Sequence, residues 1–519
     1  MRKCLLALFL LVGFACMAVA QYPNIVISTE NSPEEPSICI NPKNPLNVVA
    51  GSNINNYHYS GDGGVTWNSG QLTSPYGVWG DPAIVVDTNG HFYFLHLSMP
   101  AGSQFLDRIV CQKSVNGGMT WTDGSFMGLN GDKDQDKEWA VVDRTGNIIY
   151  TCWTQFDSYG STAPGDSSHI LFSRSTDGGT SWSSPVRLDT HGGDCLDSDG
   201  TVEGAVPAVG VNGEVYVTWA GPLGLVFTSS TDHGLTWPAS NCVVGSFPGG
   251  WDYNIPGISR ANGLPVTCCD LSNSPFRGTI YVNWSDQRNG PDDTDVWLVK
   301  STDGGMSWTA PHRVNNDGPG RHQFFTWMTV DPANGNLWFV FYDRRNHTGE
   351  QTDVYLATSS DGGETFKNFR ISESPFTPNP NVFFGDYTNI AAVNNIVRPI
   401  WARLQDNNLS LMTALVDSTF TGVAPDKEPA VPFALDPSYP NPVIHATTLA
   451  YKIYHPSVIS LIVQDLCGKT VATIFAGRRV GAGKFVERFI PSAYHLAPGM
   501  YVVSLLNGER SVRRKMVID

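Results

Sequence analysis

The segment Ser60-Gly61-Asp62-Gly63-Gly64-Val65-Thr66-Trp67 decides the fold, because its pattern returns five more times. The copies run Ser114–Trp121, Ser175–Trp182, Ser230–Trp237, Ser301–Trp308 and Ser359–Phe366, at intervals of roughly 55 to 70 residues. Asn116 replaces the aspartate in the second copy, and Phe366 replaces the tryptophan in the last. One short unit at a fixed period marks a repeat architecture, in which each unit buries its apolar face on its neighbours. Within a copy, the aspartate is placed to accept N–H groups of its own turn. The fifth-position glycine tolerates a positive φ, and the aromatic ring folds back beneath the hairpin. A feature repeated once per unit reads as scaffold, so these aspartates are turn formers and not catalysts.

The pattern resembles the Asp-box (BNR) repeat, and the chain resembles the sialidase-like β-propellers that carry it. Between the boxes runs a second repeat of paired strands: 36–51, 81–97, 138–155, 203–220, 260–286, 324–343 and 386–403. Seven pairs stand against six boxes. The last pair is followed by one strand, 409–416, and no box. Residues 22–29 form an orphan β-type strand that can complete this last blade and remove a sheet edge. The expectation is an all-β chain with a seven-bladed propeller over 21–423; six blades, as in catalytic sialidases, is the alternative.

The ends carry other signals. Residues 1–20 combine Arg2 and Lys3, an apolar run and Ala18-Val19-Ala20, which reads as a secretory signal peptide. No later stretch is apolar for long enough to span a membrane. Residues 424–436 are proline-rich and read as a linker. Residues 437–519 alternate in short strands, as a small Ig-like β-sandwich does. Tyr439-Pro440-Asn441-Pro442, Gly499-Met500-Tyr501 and Arg514-Lys515-Met516-Val517 resemble the sorting domain of the type IX secretion system. That resemblance implies the secretion machinery as a partner, and a secreted or outer-membrane surface location in a Gram-negative bacterium.

The net charge is −15, while residues 437–519 hold ten Lys/Arg against four Asp/Glu, so the rest is strongly acidic. An acidic main domain argues against nucleic acid as a partner. Ten cysteines show no zinc spacing; Cys195 and Cys242 form one candidate bridge.

In a propeller, inner-strand starts and second-strand ends meet on one face around the axis, opposite the Asp-box turns. Asp81, Glu138, Glu203, Asp386 and Tyr387 sit at inner-strand starts. Asp157, Asp286, Arg288, Asp343, Arg344, Arg345, Arg403 and Asp406 sit at or beyond second-strand ends. The last group has two readings: salt bridges that tie blades together, or arginines (Arg288, Arg344, Arg403) binding a carboxylate with Asp286, Asp343 and Asp386 alongside. The sialidase resemblance implies Tyr387 as nucleophile, Glu203 as its base and Asp81 near the acid, acting on terminal sialic acid or another acidic sugar. Two departures stand out: residues 21–107 contain no arginine, and Thr218-Trp219-Ala220 stands where a second arginine belongs. The remaining alternatives are a noncatalytic propeller that binds a glycan or protein, and a hydrolase or lyase on another acidic polysaccharide. No cofactor is expected beyond a structural Ca²⁺ on Asp132, Asp134 and Asp136; a solvated acidic loop is the competing account. Trp251, Tyr253, Phe324, Phe325 and Phe384 are candidates for stacking on sugar or for packing.

Overall fold

The computed structural model describes residues 22–102, 105–417, 433–435, 438–453, 456–465, 469–507 and 510–518. The segment read as a signal peptide, 1–20, and most of the segment read as a linker, 424–436, lie outside them. The chain divides into two compact units, Met1–Thr421 and Gly422–Asp519. No helix among the described residues is long and apolar enough to cross a membrane.

The first unit holds seven antiparallel sheets, six of four strands and one of five. Their innermost strands are Ser37–Ile40, Ala83–Val86, Asp134–Val142, Glu203–Val209, Val266–Cys269, Gln323–Val330 and Asn389–Val393. Each packs against the next, and the last packs against the first, which closes a ring. Asn24–Ser28 supplies the outer strand of the seventh sheet, pairing with Asn408–Ala414 in the register Asn24 to Ala414 and Ile25 to Thr413. Closing the ring with the first strand leaves the seventh sheet without a bare edge there. The core is a belt of aliphatic and aromatic side chains between adjacent sheets, with Trp153, Trp219, Trp284 and Trp401 fully buried.

The six repeated motifs fill the turns between third and fourth strands of the first six sheets. In the first copy, Asp62 Oδ1 accepts from the N–H groups of Val65 (3.0 Å) and Thr66 (2.9 Å), and Oδ2 accepts from the Thr66 hydroxyl at 2.6 Å. The Trp67 indole donates to Gly64 O at 2.9 Å and packs on the apolar cluster below. The turn is therefore self-contained, as its residue types require.

The second unit stacks a three-stranded sheet on a four-stranded one around Leu435, Leu449, Tyr451, Leu461, Val503 and Leu505. Phe433–Leu435, inside the segment read as linker, is a strand paired with Thr447–Ile453. Two further sequence readings change. Asp134–Glu138 is not a solvated loop but the buried start of an inner strand. Cys195 and Cys242 are both free thiols, so that bridge is absent.

Candidate functional site

Three inner strands begin with a slip in register: between Asp136 and Trp139, between Glu203 and Val206, and between Phe324 and Trp327. Lys137, Gly204 and Phe325 sit in these bulges with φ of +54°, +71° and +50°. A bulge breaks the in–out alternation of a strand and re-aims side chains. Here it turns Lys137 into a ring of carboxylates contributed by different sheets.

Lys137 Nζ donates to both oxygens of Asp386, at 3.0 and 3.1 Å, and lies 3.6 Å from Asp81 and 3.8 Å from Glu35. Arg260 reaches the same Asp386 through Nε at 2.7 Å and through a second short contact, and its other terminal nitrogen lies 3.3 Å from Asp197. Asn53 holds Glu35 and Glu34 by its amide N–H₂ and accepts the Asp81 N–H at 2.8 Å. Asp136, Glu138 and Glu203 complete the cluster, all buried. Both oxygens of Glu138 and Oε2 of Glu203 have no hydrogen-bond partner.

The cluster is thus eight carboxylates around two cations, and its members divide. Burial pushes Asp386 up, but Arg260 and Lys137 outweigh it and hold that carboxylate well below the usual range. Burial, reinforced by Asp81, raises Glu34 and Asp136 to about 8 and holds Glu35 and Glu138 well above their ordinary values. Glu203 is raised as well, by burial and then by Asp197 and Asp136. At neutral pH the surplus charge is therefore neutralised by protons.

Tyr387 stands beside this cluster, edge-on to Trp139 with ring centroids 5.2 Å apart, and with Lys137 Nζ 5.3 Å from its ring centre. Its hydroxyl donates to Asp81 Oδ1 at 3.4 Å. Glu203 instead lines a neighbouring recess with Asp197, Trp251 and Arg260, so the geometry pairs Tyr387 with Asp81 and not with Glu203. Burial, then Asp81, Glu35 and Asp386, push the Tyr387 hydroxyl well above its ordinary range, which keeps it a hydrogen-bond donor. The void between Lys137, Trp139, Phe325, Trp327, Asp386 and Tyr387 measures about 30 Å³, room for a small functional group and not for a ring.

The three arginines expected to bind a carboxylate line neither recess. Arg288 turns back on Asp286 at 2.6 Å and stacks on Trp297; Arg345 does the same to Asp343 at 2.7 Å. Arg344 donates to Thr352 at 3.0 Å over Phe324, and Arg403 donates to Ser374 at 2.8 Å. Arg288 and Arg345 close on the aspartates two residues before them, a local reach that cannot point to the axis, while Arg344 and Arg403 bond to adjoining segments. Asp386 alone of the expected acidic contacts belongs to the central cluster.

The Ca²⁺ expectation also changes. Asp134 accepts the Tyr159 N–H at 2.8 Å, Asp136 accepts the Lys137 N–H at 2.8 Å, and Asp132 is exposed. No three metal-ligating side chains gather as a metal site among the described residues.

Trp251, Tyr253, Phe324, Phe325 and Phe384 are all buried; Tyr253, Phe324 and Phe384 pack in the core, while Trp251 and Phe325 wall the two recesses. A different set is open to solvent: Trp79, Phe105, Tyr159 and Phe383, each between 36% and 42% exposed. Trp79 and Phe105 pack edge to face at 5.6 Å, and Trp79 lies two residues before Asp81. The Tyr159 hydroxyl donates to Asp197 at 2.5 Å, and Arg260 sits 5.8 Å from the Phe383 ring centre. Sequence reading passed over these rings, and over Lys137 and Arg260. The available signal was their nearness in sequence to Asp81, Asp157, Asp386 and the inner-strand starts.

Residues 438–519 match the family model of the secretion system C-terminal sorting domain. No curated protein matches the chain. Similar solved structures include a protein of unknown function from Dyadobacter fermentans, 15% identical over 65% of this chain and 93% of that one, with a TM-score of 0.43. The NanB sialidase of Streptococcus pneumoniae is 9% identical over 71% and 83%, at a TM-score of 0.44. The Trypanosoma rangeli sialidase is 12% identical over 87% and 84%, at 0.41. Likenesses this loose carry no argument about individual residues. The chain is thus a closed ring of antiparallel sheets with six repeated, self-bonded turns, followed by a secretion system C-terminal sorting domain.

Proposed function

We propose that the ring of sheets is a seven-bladed propeller, followed by an Ig-like sandwich, and that it binds a glycan at its axial mouth after secretion. The observation that carries this reading is the state of the axial cations. Lys137 and Arg260 are both committed to Asp386, while the buried axial atoms left without partners are carboxyl oxygens of Glu138 and Glu203 and the Trp251 indole N–H. Such a site exchanges hydrogen bonds with an uncharged polar ligand and offers no free cation to an anion. A neutral or amino sugar supplies donors; the carboxylate of sialic acid meets no free guanidinium there. The rim rings Trp79, Phe105, Tyr159 and Phe383 offer the flat apolar faces on which sugar rings stack. The sorting tail implies passage through the secretion machinery and display at the surface.

The test is a glycan array probed with the secreted protein, alongside Trp79→Ala and Phe383→Ala. Binding to neutral or amino glycans that falls about tenfold in either variant supports the reading. Preference for sialylated glycans would sink it. A hydrolase is the second reading, favoured because Asp386 and Glu203 are driven to opposite protonation states in one cluster. Turnover of fluorogenic glycosides, compared between wild type and Glu203→Gln, separates the two: loss of measured turnover makes the propeller an enzyme.

A further inference from the structure

The opposite mouth of the axis has a different character. The far ends of the inner strands enclose a second cavity of about 210 Å³, walled by Cys39, Val86, Val142, Val209, Cys268 and Val330 among others. Burial pushes the Cys39 and Cys268 thiols up to about 12, so both are neutral, and Cys268 donates to Met328 O at 3.4 Å. Apart from Thr267 and Thr329, the side chains of the walls are therefore largely apolar.

One charged side chain lines this cavity: Arg144, in the turn that follows the inner strand Asp134–Val142. Water reaches it, yet protein surrounds it closely enough that burial lowers its pKa, against weaker pulls upward from Cys39 and Asp331. Among the described residues it is in no ion pair and makes no hydrogen bond. The carboxylates of this mouth bond mainly within their own turns. Asp143 accepts from the Thr145 N–H and hydroxyl at 2.8 and 2.7 Å, with His233 at 3.8 Å from its other oxygen. Asp331 accepts the N–H groups of Ala333, Asn394 and Asn395 at 2.9, 3.1 and 2.6 Å. Asp87 and Asp270 cap their turns in the same way. A guanidinium with no hydrogen bond of its own is thus left at a largely apolar cavity, and of the nearby acids only Asp143 keeps an oxygen, Oδ2, without a hydrogen-bond partner.

We propose that this cavity is a binding site for a small amphiphilic carboxylate, its head on Arg144 and its hydrocarbon body against the valine and cysteine walls. The carboxylate takes two guanidinium hydrogen bonds, and the body replaces water on apolar surface. A strongly hydrated inorganic anion gains only the first of these and loses its hydration, so the body decides the class of ligand.

Hexanoate titrated calorimetrically into the full secreted chain at neutral pH is the direct test. Saturable one-site binding is expected, with hexan-1-ol and hexylamine weaker by about tenfold or more. Arg144→Gln is expected to weaken hexanoate by a similar factor with little change in melting temperature, since the side chain makes no hydrogen bond or ion pair in the fold. Val209→Phe, which fills the cavity, is expected to weaken hexanoate while leaving glycan binding at the other mouth intact. Absence of saturable hexanoate binding, retention of wild-type affinity in Arg144→Gln, or chloride binding as tight as hexanoate would each overturn the proposal.

Discussion

Asp386 shows how a single residue can hold a propeller's axis together. Its carboxylate is buried, takes two bonds from Lys137 and two from Arg260, and joins chain segments more than a hundred residues apart. Removing one partner from a buried ion cluster leaves an uncompensated charge. Lys137→Met is therefore expected to cost roughly 3–5 kcal/mol in urea unfolding of the secreted protein. A loss under about 0.5 kcal/mol, the level of a neutral surface change, would show that the cluster is already balanced by protons. The raised carboxyls make a second prediction, for pH. Glu34 and Asp136 have folded-state values of about 8, far above ordinary carboxylates, so between about pH 4.5 and 8 the folded chain holds more protons than the unfolded one. Stability must then fall as pH rises through that window. The Asp-box aspartates act in the opposite sense and lower down. Asp62, held at about 2 by the Thr66 hydroxyl and N–H, contributes stability that disappears only as pH falls below 4 towards 2. Melting temperature followed from pH 5 to pH 8.5 is expected to decline, with a shallower slope in Asp136→Asn; a rising profile would refute the protonated cluster.

At the scale of elements, the Asp-box turns were legible in sequence and the bulges were not. A box is closed by bonds among eight consecutive residues, so its residue types alone fix it, and Asp62 behaves as expected. The slip at Asp136–Trp139 depends on what faces the strand across the axis. An alternating pattern cannot reveal it, which is why Asp134–Glu138 reads as a loop and Lys137 escaped notice. Gly204 gives the bulge a handle for experiment. Its φ is +71°, and a Cβ there would come within 2.7 Å of Leu264. Gly204→Ala is expected to destabilise the first unit by roughly 1–3 kcal/mol and to displace Glu203 from its recess. Thermal unfolding, with glycan affinity measured beside it, checks both halves; an unchanged melting temperature would mean that the strand straightens at no cost. The closing strand Asn24–Ser28 was legible for another reason: counting strands left one unpaired at each end of the first unit, and sheet edges favour pairing.

The whole molecule consists of two units with separate cores. Deleting residues 438–519 is expected to leave the melting transition of the first unit within about 2 °C of wild type, since no core is shared, and to stop export. Cell fractionation measures the second effect, and a truncated chain recovered outside the cell would show that the tail is dispensable. The sequence by itself determined the repeat, the self-bonded turns, the all-β character and the sorting tail, because each is written in residues close together along the chain. It also placed Asp81, Glu203, Asp386 and Tyr387 at the starts of inner strands. Only the tertiary structure decided which cations meet those acids. Arg288 and Arg345 close on the aspartates two residues before them, while Lys137 from an inner strand and Arg260 from the loop before another converge on Asp386. A local salt bridge can be read from spacing; a bulge and a meeting of sheets at the axis follow from the closure of the ring, where contacts distant in sequence set the direction of each side chain.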